Sequence, residues 1–253
     1  MSSKIKLLYG ILVLIALLLP FQDFIYLVFA MKVLCFALFA CAFNLLLGFT
    51  GLLSFGHAAF FGTSAYITAY LCKEPGLSPE FGIVLGILGS GILGFLIGSL
   101  AIRRQGIYFA MVTLALSQMV YFLAVQLPFT GGEDGIQGVP RGLLFGLVDL
   151  KNDVNMYYFV LVVFLLGFAL IVRTVHSPFG QVLKAIRENE PRAVSLGYDV
   201  DRFKLISFVI SAALAGLAGS LKTLVFQLAT LTDVHWHMSV SYTHLTLPTK
   251  RIV

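Results

Sequence analysis

Charge is scarce in this chain. Of its 253 residues only 11% are Asp, Glu, Lys or Arg, whereas soluble domains carry about 25%. Too few polar side chains remain to cover a fold in water, which excludes an ordinary soluble domain. Cysteine is rarer still. Cys35, Cys41 and Cys72 form neither a disulfide framework nor a metal-ligand spacing. Paired carboxylates are missing from the apolar runs, which argues against a proton- or sodium-driven carrier, since intramembrane acids mark such relays. No Walker A sequence occurs, so the chain has no P-loop for ATP. Gly-x-Ser-x-Gly and His-Glu-x-x-His are absent as well, leaving no visible active site for an intramembrane hydrolase. The expectation is a chain without catalytic residues, metal or cofactor.

What is present is apolar. Hydrophobic residues make up 59% of the chain, and its mean hydropathy is +0.95. A membrane-spanning helix needs about 20 mostly apolar residues. Seven runs approach this: Leu7–Leu19, Phe24–Leu47, Leu52–Leu71, Phe81–Ile102, Ile107–Leu127, Tyr157–Val172 and Leu205–Leu231. The expected fold is an all-α polytopic transmembrane helix bundle in the lipid bilayer. Lys4 and Lys6 before the first run are compatible with a signal peptide. No small-residue cleavage site follows and further spans do, so the run reads as a span that is retained. Lys32 and Lys222 fall inside apolar runs and are expected to extend their stems to a membrane face.

Basic residues set orientation in membrane proteins, and the net charge of +5 implies no nucleic-acid partner. With the N-terminus in the cytoplasm, the inner segments hold Lys4, Lys6, Arg103, Arg104, Arg173, Lys184, Arg187, Arg192, Arg202 and Lys204. The outer segments hold only Lys73, Arg141 and Lys151. Small residues recur at helix-packing spacing in Gly82-xxx-Gly86, Gly94-xxx-Gly98, Ala212-xxx-Gly216-xxx-Ser220 and Ala215-xxx-Gly219. They predict close helix crossings, which any tight bundle uses, and do not by themselves indicate a pore.

Two connections and one polar cluster carry more information. The outer loop, residues 128–156, begins Pro128-Phe-Thr-Gly-Gly-Glu-Asp-Gly135, a turn-rich stretch that serves either as a connector or as a contact surface. The inner loop, residues 173–203, is polar and basic. Ser177 suits an N-cap and Pro178 the first helical position. Phe179, Val182, Leu183 and Ile186 form an apolar stripe, with Gln181, Lys184, Arg187 and Glu188 beside it. Pro191 interrupts this helix or starts a second, and Gly197 is placed to stop it. Such a stripe can lie on lipid or dock into a partner, and the flanking charges of both signs favour the partner. Asn44, Ser54 and His57 stand amid apolar residues, where they either line a substrate path or tie helices together by hydrogen bonds.

The stretch from Asn44 to Gly62, the loop from Ser177 to Gly197 and the run Phe203-Lys-Leu-Ile-Ser-Phe-Val-Ile-Ser-Ala-Ala-Leu-Ala-Gly-Leu-Ala-Gly219 together resemble the permease subunits of bacterial ABC importers for branched-chain amino acids. The M-type partner of the heterodimeric permease is the nearer match, through most of residues 5–239. The resemblance implies a second permease subunit, two cytoplasmic ATPases, and a periplasmic amino-acid-binding protein, in a bacterial inner membrane. It implies a role in ATPase coupling for Ser177, Pro178, Phe179, Gly180, Arg187, Glu188, Glu190, Ala193 and Gly197. It implies a contact with the binding protein for Thr130, Gly131, Gly132 and Gly135. Related permeases carry urea, amides or aromatic acids. A self-sufficient channel or carrier is the rival class. The family continues beyond Ser239 through more Gly-rich spans, whereas this chain ends in Val240-Ser-Tyr-Thr-His-Leu-Thr-Leu-Pro-Thr-Lys-Arg-Ile-Val253. The expected organisation is a membrane domain over residues 1–239 and a non-native tail over 240–253.

Overall fold

A computed structural model describes residues 20, 26–104, 106–144, 146 and 148–246, with the backbone alone for 242–246. The expected span Leu7–Leu19 lies outside the described residues. Nine α-helices are described: α1 Leu27–Asn44, α2 His57–Lys73, α3 Pro79–Ala101, α4 Ile107–Gln126, α5 Asp153–His176, α6 Pro178–Glu188, α7 Glu190–Ser195, α8 Val200–Phe226 and α9 Trp236–Thr246. A π-helix, Leu45–Thr50, continues α1. Helix α9 runs across the boundary placed after Ser239.

Among the described residues, five helical segments are long and apolar enough to cross a membrane: Leu27–Thr50, Pro79–Ala101, Ile107–Gln126, Asp153–His176 and Val200–Phe226. The run expected to span from Leu52 to Leu71 behaves differently. Its first residues are spent on an extended link, and the helix begins only at His57. Gly51 sets this break, with φ of 75° after the π-turn. The resulting α2 has 17 residues, or about 26 Å of helix, and most of them are buried against other helices.

The last expected span, Leu205–Leu231, is also displaced. Asp199 accepts a hydrogen bond from the Arg202 N–H at 3.3 Å and starts α8 at Val200. The helix stops at Phe226 because Gln227 turns left-handed, with φ of 57°. No feature of the apolar run announces that turn. At 27 residues, about 40 Å, α8 is the longest helix described.

Helix α8 sits at the centre, packed on α1, α2 and α3. Small residues make this possible. A Cβ placed on Gly216 would strike Ser90, and one on Gly219 would strike the Phe61 carbonyl oxygen. The Ser64 hydroxyl donates to the Gly216 carbonyl oxygen and lies 2.6 Å from Ser220 Oγ. Thr68 Oγ1 lies 2.8 Å from Ser220 Oγ and 3.0 Å from the Gly82 carbonyl oxygen. Lipid tails offer no hydrophobic drive for helix association, so close packing and these hydrogen bonds hold the trio. Helices α4 and α5 lie outside it with long exposed apolar faces, including Met111, Met119 and Phe122 on α4 and Val162, Leu166 and Leu170 on α5.

The bundle also has a little sheet. Ile136–Gln137 pairs antiparallel with Leu228–Ala229, and Leu143–Leu144 pairs with Val148–Asp149. The first ladder ties the 128–156 loop to the chain leaving α8. Gly219→Val should overpack the α2–α8 crossing and cost about 1–3 kcal/mol. Gly91→Ala, whose new Cβ would lie 4.0 Å from that of Ala213, should be nearly neutral. Thermal unfolding of the two variants in detergent checks the contrast.

Candidate functional site

The two ends of the bundle are built differently, and residues singled out in the sequence fall at both ends and between them. At one end, the 173–203 segment folds as α6 and α7. Ser177 accepts from the Gly180 N–H at 3.4 Å, with Pro178 opening α6. Asn189 is a second N-cap, accepting from the Arg192 N–H at 3.1 Å, so Pro191 sits within the first turn of α7 instead of breaking a helix. Asn189 was the missed signal here. Gly197, at φ 87°, closes α7 while the Tyr198 N–H bonds back to the Ala193 carbonyl oxygen at 3.2 Å, the reach of a Schellman turn.

The apolar stripe of α6 turns inward, onto its own chain. Leu183 and Ile186 are buried, and Ile186 joins Ala193 and Val200 in a small core backed by Val182 and Phe203. Phe179 stacks on Phe203 with ring centroids 5.5 Å apart. Gly180 and Ala193 are buried in this packing as well. Glu190 and the buried Lys204 form an ion pair at 2.6 Å, tying α7 to the base of α8. Exposed on the outside are, among others, Arg187, Glu188, Arg192 and Gly197, together with three apolar side chains not singled out in the sequence: Val194, Leu196 and Tyr198. They are 57%, 67% and 43% exposed, more than a polar loop surface needs.

The three residues of the polar cluster differ in burial. Asn44 is exposed near the end of α1, whereas Ser54 and His57 are fully buried. Ser54 Oγ accepts from the Gly56 N–H at 3.2 Å. His57 Nε2 lies 2.9 Å from Ser211 Oγ, and that hydroxyl donates to the Ala42 carbonyl oxygen at 2.5 Å. The serine proton is thereby committed, so the imidazole carries its proton on Nε2 and donates it. The ring is boxed edge-to-face by Phe43, Phe60 and Phe208 at 5.2, 5.4 and 5.8 Å. His57 thus joins α1, α2 and α8. A cavity of about 380 Å³ opens beside α2 and α4, lined by Tyr66, Tyr70, Leu123, Phe129 and Val234 among others, and none of Asn44, Ser54 and His57 borders it.

At the opposite end, the 128–156 loop is folded against the bundle. Thr130 is buried and its hydroxyl lies 2.6 Å from the carbonyl oxygens of both Ala124 and Leu127. Gly131 is exposed, while Gly132 and Gly135 are half-buried. Arg141 closes the end of α8: its guanidinium donates to the carbonyl oxygens of Leu224 at 3.3 Å and Val225 at 2.8 Å and pairs with Asp153 at 2.7 Å.

Lys222 does not reach for the membrane face. It is 7% exposed and pairs with Asp233, 4% exposed, at 2.6 Å. Asp233 also accepts from the Thr230 N–H and hydroxyl, both at 3.0 Å. The partner lies eleven residues further on, past a turn that the apolar run does not show, which is why the lysine reads in sequence as an unpaired cation. Lys32 is exposed, with Nζ 5.7 Å from the centroid of the Phe226 ring.

A sequence profile of the family described as "Branched-chain amino acid transport system / permease component" matches residues 25–245. The chain belongs to this permease family. The high-affinity branched-chain amino acid transport system permease protein LivM of Salmonella typhimurium is 34% identical to this permease over 201 residues, 70% of this chain and 47% of the relative. The Escherichia coli LivM permease is 33% identical over the same length and shares. A probable branched-chain amino acid permease of Methanocaldococcus jannaschii, LivM, is 28% identical over 169 residues, 64% of this chain and 48% of the relative. The permease chain thus spans about half the length of these curated relatives. No solved structure matches it.

Removing one partner of the Lys222–Asp233 pair strands a buried charge. Lys222→Met should cost about 3–5 kcal/mol, and Lys222→Met combined with Asp233→Leu should regain most of that. Denaturant unfolding in detergent micelles, run as a double-mutant cycle, measures both.

Proposed function

We propose that this permease is the membrane subunit of an ABC importer for branched-chain amino acids, working beside a second permease subunit. The observation that carries the reading is the family match through residues 25–245, which takes in the helix pair α6–α7. The bundle has about seven spans in this chain, as its apolar runs count them. Its α6–α7 end faces the cytoplasm, as the excess of Lys and Arg there favours. The N-terminus is then cytoplasmic and the 128–156 loop periplasmic.

In this reading two ATPase subunits bind and hydrolyse ATP, since the chain has no P-loop of its own. They grip α6–α7 from outside. The apolar stripe of α6 is used up in fixing the pair to the bundle, so the grip falls on the other surface: Val194, Leu196 and Tyr198, flanked by Glu188 and Arg192. An apolar centre with charges of both signs around it suits a protein partner. Gly180 and Ala193 hold the pair in shape from within, Ser177 and Pro178 start it, and Gly197 ends it. A periplasmic amino-acid-binding protein docks on the loop around Gly131, Gly132 and Gly135, where Glu133 and Asp134 are exposed. Thr130 supports that surface from below. ATP binding and hydrolysis shift the bundle between inward-open and outward-open states by holding α6–α7 differently in each.

Two measurements test this. Alkaline-phosphatase fusions placed in the 128–156 loop should be active, and those placed in 177–198 should be silent; the reverse would invert the topology. Val194→Asp with Leu196→Asp should lower ATPase capture at least about tenfold, as expected when a central apolar anchor becomes charged. ATP-driven leucine uptake into proteoliposomes holding the complete importer should fall with it. Leucine uptake by this chain reconstituted alone would sink the importer reading in favour of a carrier.

A further inference from the structure

Helix α6 touches one other element that sequence distance conceals. The π-helix Leu45–Thr50 ends at Gly51, and an extended link runs from there to α2. A π-turn is rare, and a helix end leaves its last carbonyls without an intrahelical donor. Arg187, 139 residues away, donates to the carbonyl oxygen of Gly48. The stem of the same side chain covers Gly51, where an added Cβ would lie 3.1 Å from Arg187 Cγ. One turn back on α6, Lys184 Nζ stands 5.7 Å from the centroid of Phe49. A small polar recess remains between the two elements, bordered by Thr50, Gly51, Gly106, Arg187, Glu190 and Lys204.

Arg187 is therefore a C-terminal cap that the π-turn borrows from another helix. It supplies positive charge to the negative end of the α1–π segment, and its fork offers several donors in a fixed plane. The other end of the extended link enters α2 at His57, which is bonded to Ser211 of α8. The link thus lies between a surface helix pair and the centre of the bundle.

We infer that Arg187 is the positioning residue through which α6 sets the conformation of the 45–56 segment. With the guanidinium on Gly48 the π-turn is held. A shift of α6 withdraws the cap, the freed carbonyl seeks a new donor, and the segment changes register at the entrance to α2. The inference rests on the reading of α6–α7 as the ATPase-gripped pair. It adds that the grip acts on an unwound segment, with Arg187 turned toward the bundle.

The test uses this chain assembled with its second permease subunit and ATPase, and follows amide hydrogen exchange in 45–56 with and without an ADP–vanadate trap. In the unmodified complex the trap should change exchange there by about tenfold, the loss of one charged hydrogen bond. In Arg187→Gln that nucleotide response should vanish, and the amount of leucine taken up per ATP hydrolysed should fall. Arg187→Lys, which keeps the charge and loses the planar fork, should restore part of both and serves if Arg187→Gln does not assemble. A passive structural cap would alter resting exchange and leave the nucleotide response intact; that outcome overturns the inference. An unmodified chain that captures no ATPase sinks the importer reading and this inference with it, whereas normal uptake and an unchanged nucleotide response in both variants sink this inference alone.

Discussion

The fold depends on how closely α8 can approach α2 and α3. In lipid, apolar side chains gain nothing by leaving the solvent, so helices are held by contact distance and by hydrogen bonds that hydrocarbon cannot replace. Gly216 and Gly219 remove the side chains that would keep the backbones apart. Ser64, Thr68 and Ser220 then bond across the gap. Glycine in a helix costs about 1 kcal/mol relative to alanine. Here that cost is offset by contacts only a bare backbone allows. His57 and Ser211 extend the same seam to α1 through the Ala42 carbonyl.

Once the seam is set, both ends must be closed where helices stop inside the structure. Two arginines from connecting segments do this. Arg187 reaches the end of the α1–π segment from α6, and Arg141 reaches the end of α8 from the 128–156 loop. Each supplies donors to carbonyls left over at a helix C-terminus. Each also anchors its own segment, since a guanidinium bonded into the bundle fixes the backbone that carries it. The helix pair and the outer loop are thereby held as built surfaces rather than slack connections.

Much of this was legible in the sequence. The glycine and serine spacing of residues 212–220 marked the crossing face, because small residues at four-residue spacing fall on one side of a helix. Ser177, Pro178 and Gly197 marked helix ends by local chemistry that needs no partner. Other features depend on long-range contacts and were hidden. The stripe of Phe179, Leu183 and Ile186 was correctly periodic, but periodicity cannot say whether a stripe covers its own bundle or a partner. The run from Leu52 was apolar enough to suggest a span, yet Gly51 and Gly56 spent its beginning on an extended link. Gln227 in a left-handed turn and Asp233 beside Lys222 have no signature in hydropathy, since both arise from how the chain folds back after α8.

The buried Lys222–Asp233 pair has a consequence for how the chain enters the bilayer. A helix is handed to lipid as it emerges from the insertion machinery, and a lysine inside it raises the cost of that step, by less near the helix end, where Lys222 stands, than at the bilayer centre. The carboxylate that neutralises Lys222 is synthesised eleven residues later and arrives only when the 227–233 turn doubles back. Until that turn forms, Lys222 is without its carboxylate. Charge balance thus joins α8 to the turn behind it: neither segment is neutral without the other.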